Sequence, residues 1–278
     1  MKKLLTAMLV FGLLGSFMLP AQATPQEDLE KFRAYFKKRF PDTPFSDFIN
    51  GVYSIDAASR EQWMDIEEFP PYELNIEKGK ELFNTPFTNG KTYASCFDND
   101  GIGIASRYPF YDTGSDRVIT LELAINECRL ANGEEPLAYK KGDIADLSAY
   151  MHFTSRGNII NVVIPDDPGA LAAYERGKFH FYAKRGQLNM ACADCHVYNA
   201  GNKVRADILS PALGQPTHFP VYRSKWGGLG TLHRRYSGCN KQVRAKPYAA
   251  QGDEYRALEY FHTYMSNGLE SNGPGARK

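Results

Sequence analysis

Hydrophobic and polar positions fall into short helical patterns separated by Pro- and Gly-rich connections. Glu27 to Phe40 is amphipathic, and Pro-rich punctuation follows it up to residue 60. Gly169 to Lys184 has Leu171, Tyr174, Phe179 and Tyr182 on one side at roughly helical spacing. Leu147 to Gly157 and Leu258 to Gly268 read as helices, each stopped by glycine. Met1-Lys2-Lys3, the apolar run Leu4 to Leu19 and Pro20-Ala21-Gln22-Ala23 have the order of a cleavable secretory leader over residues 1–23. Nothing after it approaches the ~20 apolar residues of a membrane span. The mature chain is expected to be soluble and exported, in a compartment where disulfides persist.

The chain also matches itself. Glu77-Lys78-Gly79-Lys80 recurs as Glu175-Arg176-Gly177-Lys178. Leu147–Gly157 aligns with Leu258–Gly268 at an offset of 111, and the same offset places Cys128 on Cys239. Asn161 to Pro168, with two prolines and two aspartates, reads as the boundary between the copies. These matches predict a lead-in over residues 24–60 and two tandem domains over 61–160 and 161–278, mainly α.

Composition narrows the function. Charged residues make up 23% of the 278-residue chain, and 33 Lys+Arg face 32 Asp+Glu. That balance is not the footprint of a nucleic-acid binder. The 13% of aromatic residues suits packing around a large flat ligand, and five cysteines are too few for a disulfide-built scaffold.

Cys192-Ala193-Asp194-Cys195-His196 is a C-x-x-C-H motif, the signal for attaching haem c. Its spacing lets two thiols add across the two vinyl groups while the adjacent imidazole reaches the iron. A zinc or redox C-x-x-C is the competing reading, disfavoured in an exported chain with no second C-x-x-C. One haem c, held by Cys192 and Cys195 with His196 as an axial ligand, is therefore predicted. The matching place in the first copy reads Ala94-Ser95-Cys96-Phe97-Asp98, which predicts a cytochrome c-like domain without haem. Cys96 and Cys128, the only cysteines of that half, are expected either to pair or to remain two buried thiols. Pairing would close a loop of about thirty residues, worth ~3–4 kcal/mol.

The other axial ligand is open among Met190, Met265, the remaining histidines and Cys239. Methionine is common in electron carriers because it raises the potential. Cys239 is the cysteine left over once haem and the expected disulfide take theirs, which makes it a candidate reactive thiol. It is flanked by His233, Arg234 and Arg235 before it and by Lys241, Arg244 and Lys246 after it, and positive charge favours a thiolate. In the first copy Leu123 and Ala124 stand for Arg234 and Arg235.

Over nearly all of the mature length, the sequence resembles the SoxA subunits of the SoxAX cytochromes of bacterial thiosulfate oxidation. The resemblance rests on the C-x-x-C-H motif, on Phe219-Pro220-Val221-Tyr222-Arg223-Ser224-Lys225-Trp226, and on Arg234-Arg235-Tyr236-Ser237-Gly238-Cys239-Asn240-Lys241-Gln242-Val243-Arg244-Ala245. It implies a periplasmic L-cysteine S-thiosulfotransferase that couples thiosulfate to a cysteine of the SoxYZ carrier and passes electrons through its haem to the SoxX cytochrome. It also implies Cys239, as thiolate or persulfide, for the second axial ligand and covalent sulfur handle, and Arg235 as the substrate-binding arginine. Phe97 and Asp98 depart from the two-haem members and imply the single-haem type. A periplasmic electron carrier, with Cys239 as a mere ligand, is the alternative.

Overall fold

The computed structural model describes residues 23–277. The predicted leader, residues 1–23, lies outside the described residues except for Ala23. Among the described residues eight α-helices carry the fold: α1 (Pro25–Arg39), α2 (Ala57–Glu67), α3 (Glu73–Asn84), α4 (Leu121–Ala131), α5 (Asp143–Phe153), α6 (Pro168–Tyr182), α7 (Leu232–Gln242) and α8 (Asp253–Tyr264). The strands are short: β1 (Phe110–Asp112), β2 (Arg117–Ile119), β3 (Lys203–Val204), β4 (Asp207–Ile208), β5 (Val221–Arg223), β6 (Gly228–Gly230) and β7 (Gly275–Arg277). The chain is mainly α, as its periodicity predicts.

The repeated Glu-basic-Gly-Lys motif marks a helix crossing. α3 packs across α5, and α6 across α8. A Cβ on Gly79 would fall on the Asp146 carbonyl oxygen, with Tyr150 Cβ at 3.0 Å. A Cβ on Gly177 would fall on the Ala257 carbonyl oxygen, with Phe261 Cβ at 2.8 Å. Only a residue without a side chain lets the two backbones meet there. Tyr150 and Phe261 are themselves partners at the offset of 111.

The same offset relates α4 to α7 at both ends, the N-terminal Thr120 to Thr231, and the antiparallel pair β1–β2 to β5–β6. The halves meet at an antiparallel bridge between Ile159 and Glu270, again offset mates. Around it the hydrogen bonds come in matched pairs. Ile160 N–H donates to Leu269 O (2.9 Å) as Ser271 N–H donates to Asn158 O (2.8 Å). Gly157 N–H donates to Ser271 O (3.0 Å) as Gly268 N–H donates to Ile160 O (2.9 Å). Such reciprocal bonding is the mark of a local two-fold axis.

Two features depart from simple tandem copies. α1 does not stand apart as a lead-in: Phe32 and Phe36 lie in one apolar cluster with Tyr174, Phe181 and Phe261 of the second half. Its start is fixed by a reciprocal cap between Thr24 and Glu27, and its last turn carries Lys37, Lys38 and Arg39, complementing the helix dipole. Second, β7 runs parallel beside β5 and completes a sheet of order β6-β5-β7 that has no counterpart in the first half.

Between the halves lies a cavity of about 40 Å³ lined by Glu122, His152, Thr217, Glu259 and Thr263 among others. Glu122 and Glu259 are both buried. Ser148 donates to Glu122 (2.8 Å), and at the offset-related place His233 Nε2 lies 3.1 Å from Glu259. Burial, followed by the charge of Glu259, pushes the Glu122 carboxyl up to about 7.

Two outcomes follow. Gly177→Ala forces the α6–α8 crossing apart and should cost about 3 kcal/mol, lowering the thermal midpoint by roughly 6–12 °C; an unchanged midpoint would refute the close approach. Because Glu122 titrates higher folded than unfolded, its contribution to stability is full below the ordinary 4.5 and is lost as pH rises through about 7. Glu122→Gln should flatten that part of the midpoint-versus-pH curve.

Candidate haem and thiol site

The C-x-x-C-H segment follows α6. Before it, Arg185 and Met190 exchange two backbone hydrogen bonds of 3.1 Å, closing a small loop. That loop is seated on the C-terminal end of α7. Gly186, at φ +69°, lies so close to the Val243 carbonyl that a side chain would clash, and Leu188 N–H donates to that same carbonyl (3.3 Å). The Arg185 guanidinium stacks on Tyr248 at 3.9 Å and donates to Asn240 Oδ1 at 2.6 Å. Asn240 is the residue after Cys239, so the attachment loop and the thiol-bearing helix are fastened together at this point.

Cys192 and Cys195 are half-buried and form no disulfide. Burial pushes Cys192 up to about 12 and raises Cys195 as well. A redox C-x-x-C lowers one of its thiols instead, so this pair is unlike one. Asp194, between them, accepts from Ala191 N–H (2.8 Å) and holds the turn.

His196 follows directly. Its Nδ1–H donates to the Ser210 carbonyl at 2.9 Å, which fixes the ring and leaves Nε2 for a ligand. Ala212 N–H donates to the His196 carbonyl (2.8 Å), and Gln215 donates to Ser210 Oγ (2.6 Å), so the segment behind the ring is itself braced.

Across from this ring stands Cys239 on α7, hydrogen-bonded to His196. It is half-buried. Burial pushes its thiol up, but Arg235, the His196 hydrogen bond and Arg223 together outweigh burial and hold it down at about 7. Arg235 lies four residues earlier on the same helix, hence on the same face. Three of the other candidates for a place opposite His196 are engaged elsewhere. Met265 is in the apolar core, His262 lies between Tyr236 and the Ala212 carbonyl, and His233 is held by Tyr255 O and Gln251 N–H.

The basic run divides by direction. Arg234 stacks on Trp226 at 4.2 Å and donates to Leu229 O at 2.8 Å, a structural role. Lys241 and Arg244 are exposed. Arg223 of β5, far from Cys239 in sequence, is the second arginine whose charge reaches the thiol. It lies within the Phe219–Trp226 run, but nothing in that run's local pattern pairs it with Cys239.

The first half uses the same frame differently. Cys128, at Cys239's place on α4, is bonded to Cys96, with their Cα atoms 5.8 Å apart. Closing 32 residues, this bridge stabilises by about 3–4 kcal/mol. Ala124 stands where Arg235 stands.

Two adjacent non-redox thiols, an oriented imidazole and a thiol facing it fit a haem c, the group the motif predicts. Comparison with known proteins agrees on the class. Residues 78–160 match the SoxA/TsdA cytochrome c domain family, on the half that lacks the C-x-x-C-H motif, so this is a cytochrome c-type protein. The L-cysteine S-thiosulfotransferase subunit SoxA of Allochromatium vinosum is 60% identical over 257 residues, 92% of this chain and 91% of that one. Its counterpart in Chlorobaculum tepidum is 56% identical over 92% of this chain and 89% of its own. A crystal structure of SoxXA from P. pantotrophus superposes with a TM-score of 0.71 at 32% identity, covering 80% of this chain and 84% of that one. The chain belongs to the SoxA family of L-cysteine S-thiosulfotransferase subunits.

Arg185→Ala removes both the stack on Tyr248 and the bond to Asn240. It should cost about 2 kcal/mol and lower the thermal midpoint by roughly 4–8 °C. A midpoint equal to that of the parent would show that the loop–helix fastening lies elsewhere.

Proposed function

We propose that the chain is the sulfur-coupling subunit of a periplasmic, thiosulfate-oxidising SoxAX cytochrome of the single-haem type. Cys192 and Cys195 would attach one haem c, and His196 and Cys239 would ligate its iron. The first domain, residues 61–160, carries no haem, and its Cys96–Cys128 bridge takes the place of ligand chemistry. Among the described residues no helix is long and apolar enough to cross a membrane. The SoxXA crystal structure of the P. pantotrophus relative supports SoxX as the partner that takes the electrons. The SoxYZ carrier and thiosulfate are the substrates that the relatives' transferase name fits.

One observation carries the reading: a half-buried thiol held at about 7 by Arg235, His196 and Arg223. Near neutral pH much of Cys239 is thiolate, the form that does sulfur chemistry. An electron carrier needs an axial ligand but has no use for cations without carboxylate partners beside it. Arg235 N–H donates to Thr231 O in the helix, but its guanidinium forms no hydrogen bond or salt bridge among the described residues. Its planar fork is free to grip the oxygens of a small dianion.

Coupling then runs in two steps. Cys239 thiolate and the terminal sulfur of thiosulfate form a sulfur–sulfur bond with loss of two electrons. The carrier's cysteine thiolate next attacks the outer sulfur of that bond and takes the thiosulfonate, and Cys239 leaves as thiolate. When bound, the haem accepts electrons one at a time, which a second haem on SoxX complements. Arg235 holds the sulfonate in place through both steps.

Arg235→Ala should cut coupling to the carrier by about a hundredfold while leaving the visible haem spectrum nearly unchanged. Unimpaired coupling would remove Arg235 from substrate binding.

A further inference from the structure

Arg223 closes β5 and is fixed on both sides, its backbone pairing with Gly228 of β6 and with Arg277 of β7. Its guanidinium lies 5.5 Å from the Trp226 ring. Its Nε is buried without a hydrogen-bond partner. The charges that act on it most are those of Arg235 and Cys239, ahead of the carboxylate of Asp207. Two guanidinium groups therefore approach one thiol from different elements, and neither forms a salt bridge within the described residues. The Cys239 thiolate offsets one of these two positive charges, and the charge left over favours a further anion between the guanidinium groups.

The duplicated frame serves as an internal control. The offset mates of Arg223 and Arg235 are Asp112 and Ala124. Asp112 closes β1 at the matching strand position and accepts from Gly114 N–H and Ser115 N–H, both at 3.2 Å. The strand end thus folds without an arginine, and both cations occur only in the half whose cysteine is free. β7, which pairs with β5 up to Arg223, is likewise absent from the first half.

We propose that Arg223 is a second substrate-binding guanidinium: with Arg235 it brackets the sulfonate of thiosulfate and of the thiosulfonate carried on Cys239. The inference rests on the thiosulfate-coupling reading above and deepens it. Two forks on three sulfonate oxygens select anions with a sulfonate head and a free sulfur, and a single arginine holds such an anion less firmly. Trp226 supports this arrangement by packing against Arg223 and Arg234 together.

The test is calorimetric titration of the haem-loaded protein with thiosulfate, without carrier, for the parent, R223Q, R223K and R235Q. Steady-state coupling and the visible spectrum are recorded alongside. R223Q is expected to bind thiosulfate about 10- to 100-fold more weakly. Its KM should rise by a similar factor, its haem spectrum should be that of the parent, and the salt dependence of its binding should be shallower. R223K, which keeps the charge but loses the fork, should fall between R223Q and the parent, and it serves as the reporter should R223Q fail to fold. Parent-like affinity in R223Q or R223K, with R235Q weakened, would overturn the role of Arg223 and leave the coupling reading standing. Equal affinity in the parent and R235Q would overturn the substrate-binding reading itself, and this inference with it.

Discussion

A sulfur has to be kept facing an imidazole across a site built from two distant stretches of chain, and much of the second half serves that end. His196 arrives on the loop after α6, Cys239 on α7. The α6–α8 crossing at Gly177 sets where the loop begins. The Gly186–Val243 approach and the Arg185–Asn240 hydrogen bond tie the loop to the end of α7. The Ser210 carbonyl then turns the His196 ring. Burial alone would raise such a thiol; here His196 and the two arginines bring it down to about 7.

The duplication shows which residues belong to the fold and which to the chemistry. Both halves keep the glycine crossing, the α4/α7 helix with its preceding threonine, and the hairpin before it. They differ where charge and sulfur matter: Ala124 against Arg235, Asp112 against Arg223, and bridged Cys128 against free Cys239. One copy bridges its two cysteines, and the other forms no disulfide among the described residues. The join is built from reciprocal backbone bonds around Ile159 and Glu270, with buried carboxylates on either side of a shared cavity.

Much of this was legible in the residues. The C-x-x-C-H motif has a spacing that chemistry dictates, and the helices around it have apolar faces with clear periodicity. Cys239 stood out as the leftover cysteine in a basic run whose two arginines have no counterpart in the other copy, and Arg235 through the family resemblance. The rest depended on tertiary placement. Arg223 is a neighbour of Cys239 only through the β5–β6 hairpin, and Arg234 and Arg235, adjacent in sequence, point about 100° apart around a helix, toward Trp226 and toward the thiol. The three-residue strands of the β6-β5-β7 sheet are too short to show a period of two. The burial of α1 against Phe181 follows from packing rather than from its own polar composition.

The central claim is that Cys239 is a covalent sulfur handle and not merely an iron ligand. Peptide-mapped mass spectrometry, on protein purified from its native compartment without reductant and then exposed to thiosulfate with an oxidant, tests it most directly. The account predicts haem on Cys192 and Cys195, an intact Cys96–Cys128 bridge, and extra sulfur or thiosulfonate on Cys239 that a reductant removes. A Cys239 peptide that stays unmodified after that exposure would contradict it and return the chain to the role of an electron carrier.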